Sequence, residues 1–88
     1  MPRTAEDKHR AITRLRRIRG QAEALERAVE AGHGYAPVLQ QLAALRGAVH
    51  GLMADLLDSH LRETLAQQPA PSPQAVDETL ALLRSYLK

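Results

Sequence analysis

The chain has 88 residues, enough for a single domain, and it contains no Cys, Trp or Phe. The missing cysteines exclude a disulfide framework and any thiolate metal site. The net charge is only +2, but residues 1–20 hold seven basic and two acidic side chains, so the rest of the chain sums to −3. Such asymmetry is typical of a polyanion-binding segment on an acidic body.

Abundant Ala and Leu, and no alternating Val/Ile/Thr run, predict an all-α fold in one domain spanning residues 1–88. No apolar stretch approaches the roughly 20 residues of a membrane span. The charged N-terminus also lacks the apolar region of a signal peptide. We therefore expect a cytoplasmic protein without a membrane partner.

The first predicted helix begins near Thr4, whose side chain can cap the first turn, with Asp7 three residues further on as in a capping box. It ends near Ala31, because Gly32 and Gly34 follow. Steps of three and four residues define one apolar face, made of Ile12, Leu15, Ile18, Ala22, Leu25 and Val29.

The second predicted helix begins between Tyr35 and Pro37 and continues to Leu65, a length of about 45 Å. A compact domain of this size would be roughly 30 Å across, so the helix would protrude from its own chain. Its wide apolar stripe would then need cover from another chain. We expect at least a dimer, with antiparallel pairing of the long helices.

Three prolines between residues 69 and 73 end this helix and introduce the third one. Ser72 is its predicted cap, and Pro73 occupies the first position, where the missing N–H costs nothing. The predicted apolar face consists of Val76, Leu80, Leu83 and Leu87. The fold expected from the sequence is thus a three-helix protomer with a long central helix.

Arginines at steps of four and three line one face of the first helix, and we call Arg10, Arg14 and Arg17 the basic stripe. Arg16 and Arg19 lie to its flanks. Guanidinium groups match phosphate geometry and contact two oxygens at once, so the stripe favours DNA over mere solubility. A solvated charged face is the alternative. Without a helix-turn-helix spacing or a zinc finger, binding would rest on phosphates and DNA shape.

Four histidines are present, and His60 is the candidate effector ligand. It follows Leu56 by four residues and Met53 by seven, so it continues the apolar stripe of the second helix, which we call the apolar seam. The alternative is a polar contact in an oligomer interface. His33 could meet it only across a helix–helix packing, with Asp58 and Glu63 as oxygen donors nearby. Histidines with carboxylates would suit nickel, cobalt or zinc.

Four segments of the chain resemble the copper-sensing operon repressor family, the CsoR/RcnR/FrmR group. The resemblance is strongest to the FrmR/RcnR branch. The four segments run from Thr13 to Gln21, Leu39 to Ala48, Gly51 to Ala54 and Ser59 to Thr64. The resemblance implies an antiparallel dimer that assembles into a tetramer, which binds operator DNA until an effector weakens the complex. It also implies a DNA face that includes Arg14, Arg17 and Arg46.

The family's sensor positions correspond here to Arg3, Tyr35, His60 and Thr64, and of the usual ligands only the histidine is retained. The resemblance therefore implies that the usual copper site is absent and that the nickel/cobalt site is mostly absent. In the formaldehyde-responsive branch, loss of the initial Met frees the amine of the residue at Pro2, and formaldehyde crosslinks this amine to a cysteine at the position of Tyr35. Pro2 is retained, but a phenol is a weaker nucleophile than a thiolate.

The sequence thus predicts a repressor that is released from its operator by a divalent metal or by formaldehyde. Two alternatives remain: a helical oligomeric scaffold without DNA binding, and a family member that has lost the usual response. We do not expect an enzyme, because the chain offers no nucleophile–base pair, no Gly-rich phosphate loop and no paired carboxylates in a pocket.

Overall fold

Three α-helices account for most of the chain, with α1 over Ala5–Glu30, α2 over Tyr35–Leu65 and α3 over Pro73–Tyr86. The computed structural model describes residues 4–66 and 69–86, and no strand occurs among them. The predicted all-α protomer with a long central helix is confirmed. Pro2, Arg3 and Leu87, which the sequence analysis singled out, lie outside the described residues.

Side-chain caps fix the starts of α1 and α3 as the sequence predicted. Thr4 Oγ1 accepts a hydrogen bond of 3.0 Å from the backbone N–H of Asp7. Ser72 Oγ accepts one of 3.1 Å from the N–H of Ala75. Each cap satisfies one of the backbone N–H groups that a first helical turn leaves without a partner.

The end of α1 is fixed by a glycine in the left-handed conformation, Gly32, with φ of 75°. Its N–H donates to Val29 O, and the N–H of His33 donates to Ala28 O, each over 3.0 Å. This pair of bonds satisfies carbonyls at the helix end and reverses the chain. The short turn that follows makes α1 and α2 an antiparallel hairpin.

The protomer is open and flat, with α1 and α3 each packed against α2. Its extents are 56 × 28 × 12 Å and its radius of gyration is 17.1 Å, whereas a compact chain of this length would have a radius near 12 Å. Among the described hydrophobic residues only Ala28 and Leu52 are buried, with 3% and 8% of their surface exposed. One copy of the chain therefore encloses almost no core.

Large apolar side chains lie exposed along all three helices. They are Ile12, Leu15, Val29, Leu39, Leu42, Val49, Leu65, Leu80, Leu82 and Tyr86. Contiguous apolar surface of this kind is typical of protein–protein contacts. None of the helices in residues 4–66 and 69–86 combines the length and apolarity needed to cross a bilayer.

Candidate DNA interface and effector site

The basic stripe lines one open groove on α1, with a volume of about 440 Å³. Arg10 and Arg17 are exposed, and Arg14 is half-buried. The remaining lining residues are Glu6, His9 and Thr13. The structure thus brings together the three arginines that the helical spacing grouped.

Arg14 differs from the other two arginines of the stripe because it is paired with α2. Its Nε lies 2.8 Å from Asp55 Oδ2, with 41% and 39% of the two side chains exposed. That oxygen accepts no well-aligned hydrogen bond among the described residues. The short distance marks an ion pair between α1 and α2.

The guanidinium of Arg14 also lies over Gly51, where a Cβ atom would be 2.8 Å from Nη1. Gly51 and Asp55 are four residues apart and so share one face of α2. The contacts of Arg14 with Gly51 and Asp55 could not be predicted from the sequence, because a contact between two helices depends on how each is rotated about its axis.

Arg16 and Arg19 are exposed but lie outside the groove. They follow Ile12 and Leu15 by four residues, so they share the apolar face of α1 rather than the face of the basic stripe. Arg46 is exposed on α2. Because Gly51 lies opposite Arg14 in the hairpin, Arg46 is nearer to the turn and close to the level of Arg19.

His60 is half-buried in an apolar groove of about 230 Å³ between α2 and α3. The groove is otherwise lined by Met53, Leu56, Leu57 and Tyr86. The position of His60 on the apolar seam is as predicted, but the contribution of Tyr86 was not foreseen. The imidazole is the one nitrogen ligand among the residues that line this groove, and the thioether of Met53 is a soft ligand suited to Cu(I) rather than to nickel, cobalt or zinc.

Thr64, the next sensor position, is buried, and its hydroxyl donates a 2.8 Å hydrogen bond to the backbone oxygen of His60. This bond holds the hydroxyl against its own helix. Asp58, a suggested oxygen donor, pairs with Arg62 over 3.1 Å. Neither side chain adds a ligand to the imidazole.

Tyr35 and His33 lie at the other end of α2 from His60. Tyr35 is the first residue of the helix and 88% exposed. At 1.5 Å per residue it is about 37 Å from His60 along the helix axis. No group of three His, Asp or Glu side chains suited to a metal occurs within residues 4–66 and 69–86. A single protomer therefore does not fit a metal ion at His60, and the His33–His60 pair cannot form within it.

Comparison with known proteins agrees with this architecture. The sequence profile of the family described as metal-sensitive transcriptional repressor matches residues 7–85. The chain is 50% identical to an uncharacterized protein in the bioA 5′ region of Serratia marcescens and 40% identical to the transcriptional repressor RcnR of Salmonella arizonae, over the full length of each protein.

Among solved structures, it is similar to a variant of the formaldehyde-responsive regulator FrmR from Salmonella enterica serovar Typhimurium. The TM-score is 0.81 at 47% identity, and the match covers 98% of this chain and 100% of that chain. Members of the matched family are regulators rather than enzymes. The chain belongs to the family of metal-sensitive transcriptional repressors.

Proposed function

We propose that this protein represses transcription by binding operator DNA through α1 and that an effector bound near His60 releases it. The observation that carries the proposal is the basic stripe, which occupies an open groove on one helix face. Arginine side chains bind phosphate oxygens through charge-assisted hydrogen bonds. DNA affinity would then depend mainly on phosphate contacts.

In this proposal Arg14 and Arg17 bind phosphates from the stripe, and Arg16, Arg19 and Arg46 contact the DNA beside it. Arg16 and Arg19 lie on the apolar face of α1, so their charged ends would emerge at the rim of whatever covers that face. Arg46 would extend the positive surface along α2. These five arginines would act together only in an assembly that places several copies of α1 along one DNA duplex.

The assembly we propose is an antiparallel dimer that pairs into a homotetramer. Support comes from the exposed apolar faces and from a protomer only 12 Å thick across its backbone. A second copy would bury these faces and supply the core that one chain lacks. Symmetry would then repeat the basic stripe once for each protomer.

For the effector we propose a divalent metal, nickel, cobalt or zinc, bound by His60 with donors from a second protomer. If two α2 helices overlapped fully in antiparallel pairing, the start of one would lie within about 8 Å of the other's His60 along the axis. That end carries His33 and Tyr35. An imidazole pair with oxygen donors suits these metals.

Formaldehyde is the second candidate, favoured by the likeness to the formaldehyde-responsive FrmR. After removal of Met1, the secondary amine of Pro2 and the N–H or O–H of a non-cysteine nucleophile would each lose a hydrogen. One water would leave with the aldehyde oxygen, and a methylene would bridge the two atoms. Tyr35 occupies the position of the usual partner, so its phenol or a neighbouring group would have to react.

Fluorescence anisotropy with the protein's own promoter tests the DNA-binding proposal. We expect the intact oligomer to bind the promoter fragment more tightly than a shuffled fragment of equal length. Absence of binding at low salt, with the oligomer intact, would contradict the proposal and favour a helical scaffold.

Adding each effector to the DNA complex separates the two effector candidates. At a concentration that just releases DNA from the wild type, a metal should not release it from His60→Ala. Formaldehyde should release DNA and raise the intact mass by one carbon atom for each crosslink. If neither agent changes the affinity, both candidates are wrong and the protein has lost the usual response.

A further inference from the structure

We propose that Asp55 restrains Arg14 and thereby lowers the affinity of the basic stripe for DNA. The proposal rests on the proposed function, because it concerns the same DNA surface. Asp55 is on α2 and Arg14 is on α1, so this carboxylate acts on the stripe from a different helix. The charge at residue 55 would therefore change the affinity for DNA without any change in the arginines of the basic stripe.

Arg14 already has one anionic partner in the protomer and would gain a second in a DNA complex. Its Nε lies 2.8 Å from Asp55 Oδ2, and the same guanidinium lines the groove where Arg10 and Arg17 are exposed. A phosphate approaching the groove would compete with the carboxylate for Arg14. The two side chains are 41% and 39% exposed, and pairs with such exposure contribute little free energy, so a phosphate could compete with the carboxylate.

The absence of a side chain at Gly51 leaves the space that the guanidinium of Arg14 occupies beside Asp55. A Cβ at residue 51 would come within 2.8 Å of Arg14 Nη1. Because the contact is with the end of a flexible side chain, a larger residue would move the guanidinium rather than the helices. Gly51 provides the space and Asp55, four residues later on the same face, provides the charge.

The sign of the effect follows from two costs that Asp55 imposes on DNA binding. The carboxylate of Asp55 neutralises part of the charge that Arg14 offers to a phosphate, and it lies close to where the negatively charged DNA backbone would bind. Both costs oppose binding. Removing the charge of Asp55 while keeping its shape should therefore strengthen the complex and steepen its salt dependence, because no carboxylate then neutralises Arg14.

Asp58 offers a matched control on the same helix. It is exposed and pairs with Arg62, also of α2, over 3.1 Å. Asp58→Asn removes the same unit of charge as Asp55→Asn without releasing an arginine of the stripe. A general effect of net charge would appear equally in both variants, whereas release of Arg14 would appear in only one.

The experiment measures anisotropy of a labelled promoter fragment with the intact oligomer over a series of salt concentrations. We expect Asp55→Asn to bind about threefold or more tightly and with a steeper salt dependence. Asp58→Asn should change the affinity less than about twofold. In an Arg14→Ala background, Asp55→Asn should have a clearly smaller effect, because only the repulsion between the carboxylate and the DNA remains.

Gly51→Ala provides a second variant if Asp55→Asn fails to fold. It displaces the guanidinium without changing any charge, and it should also tighten binding. Weaker binding by a folded Asp55→Asn, an equal gain with Asp58→Asn, or a gain of undiminished size in the Arg14→Ala background would each overturn the proposal. If the wild type binds no DNA, the proposed function fails and this proposal with it. Wild-type binding with Asp55→Asn unchanged overturns only the restraint.

Discussion

The basic stripe and the groove at His60 differ in how much of each site one chain supplies. The stripe lies on one exposed helix face, where its three arginines line a single groove. The groove at His60 combines two helices, is almost wholly apolar and contains one imidazole. A charged surface can be complete on one helix, whereas a ligand shell needs donors from several directions. The second site is therefore the one that depends on assembly.

The largest expected effect comes from placing a charge on the exposed apolar face of α2. Leu42→Glu should dissociate the oligomer and reduce DNA affinity more than about a hundredfold, because burying an unpaired carboxylate costs several kcal/mol. Light scattering and anisotropy measure the two effects. Gln41→Glu adds the same charge one residue earlier and should leave the assembly intact. A stable Leu42→Glu oligomer would show that this face is not an interface.

A smaller loss is expected when the stripe loses one arginine. Arg17→Gln should lower the promoter affinity at least about tenfold, because a charge-assisted hydrogen bond contributes about 1.5–3 kcal/mol. Its salt dependence should also become shallower. Arg84→Gln on α3 is the control and should remain within about twofold of the wild type. Equal losses in both variants would mean that net charge, rather than the stripe, governs binding.

A substitution of His60 should weaken the response to the effector without weakening DNA binding. His60→Ala should raise the metal concentration needed for DNA release at least about tenfold, since removing even a supporting group of a metal site has effects of this size. Its affinity for DNA without metal should stay near that of the wild type. His50→Ala, an exposed histidine on the same helix, should respond normally. A normal response of His60→Ala would exclude His60 as the effector ligand.

The smallest effect is expected at the turn that joins α1 and α2. Gly32 has φ of 75°, so Gly32→Ala should destabilise the protein by about 1 kcal/mol. Gly20 is helical with no atom within 4 Å of an added Cβ, so Gly20→Ala should stabilise it by up to about 1 kcal/mol. Thermal unfolding measures both changes. A stabilising Gly32→Ala would contradict the assigned turn conformation.

Local chemistry made the helices predictable from the sequence. The caps at Thr4 and Ser72, and the left-handed glycine at residue 32, each act within a few residues, so they can be recognised in a single segment. The spacing of the stripe is likewise local. These features fix where each helix begins and ends before any packing is known.

Contacts between helices were not predictable in the same way. The pairing of Arg14 with Asp55, and the position of Tyr86 beside His60, depend on the rotation of each helix against its neighbour. The spacing did place His60 on the apolar seam. It could not show that Thr64 is engaged by the backbone oxygen of the same histidine.

The salt dependence of promoter binding tests most directly whether the stripe binds DNA. With about six phosphate contacts from two or more protomers, the affinity of the intact oligomer should fall about a thousandfold between 50 and 200 mM salt. Arg17→Gln should make the dependence of log affinity on log salt concentration measurably less steep. An affinity that is independent of salt, or a slope that Arg17→Gln leaves unchanged, would contradict DNA recognition by the basic stripe.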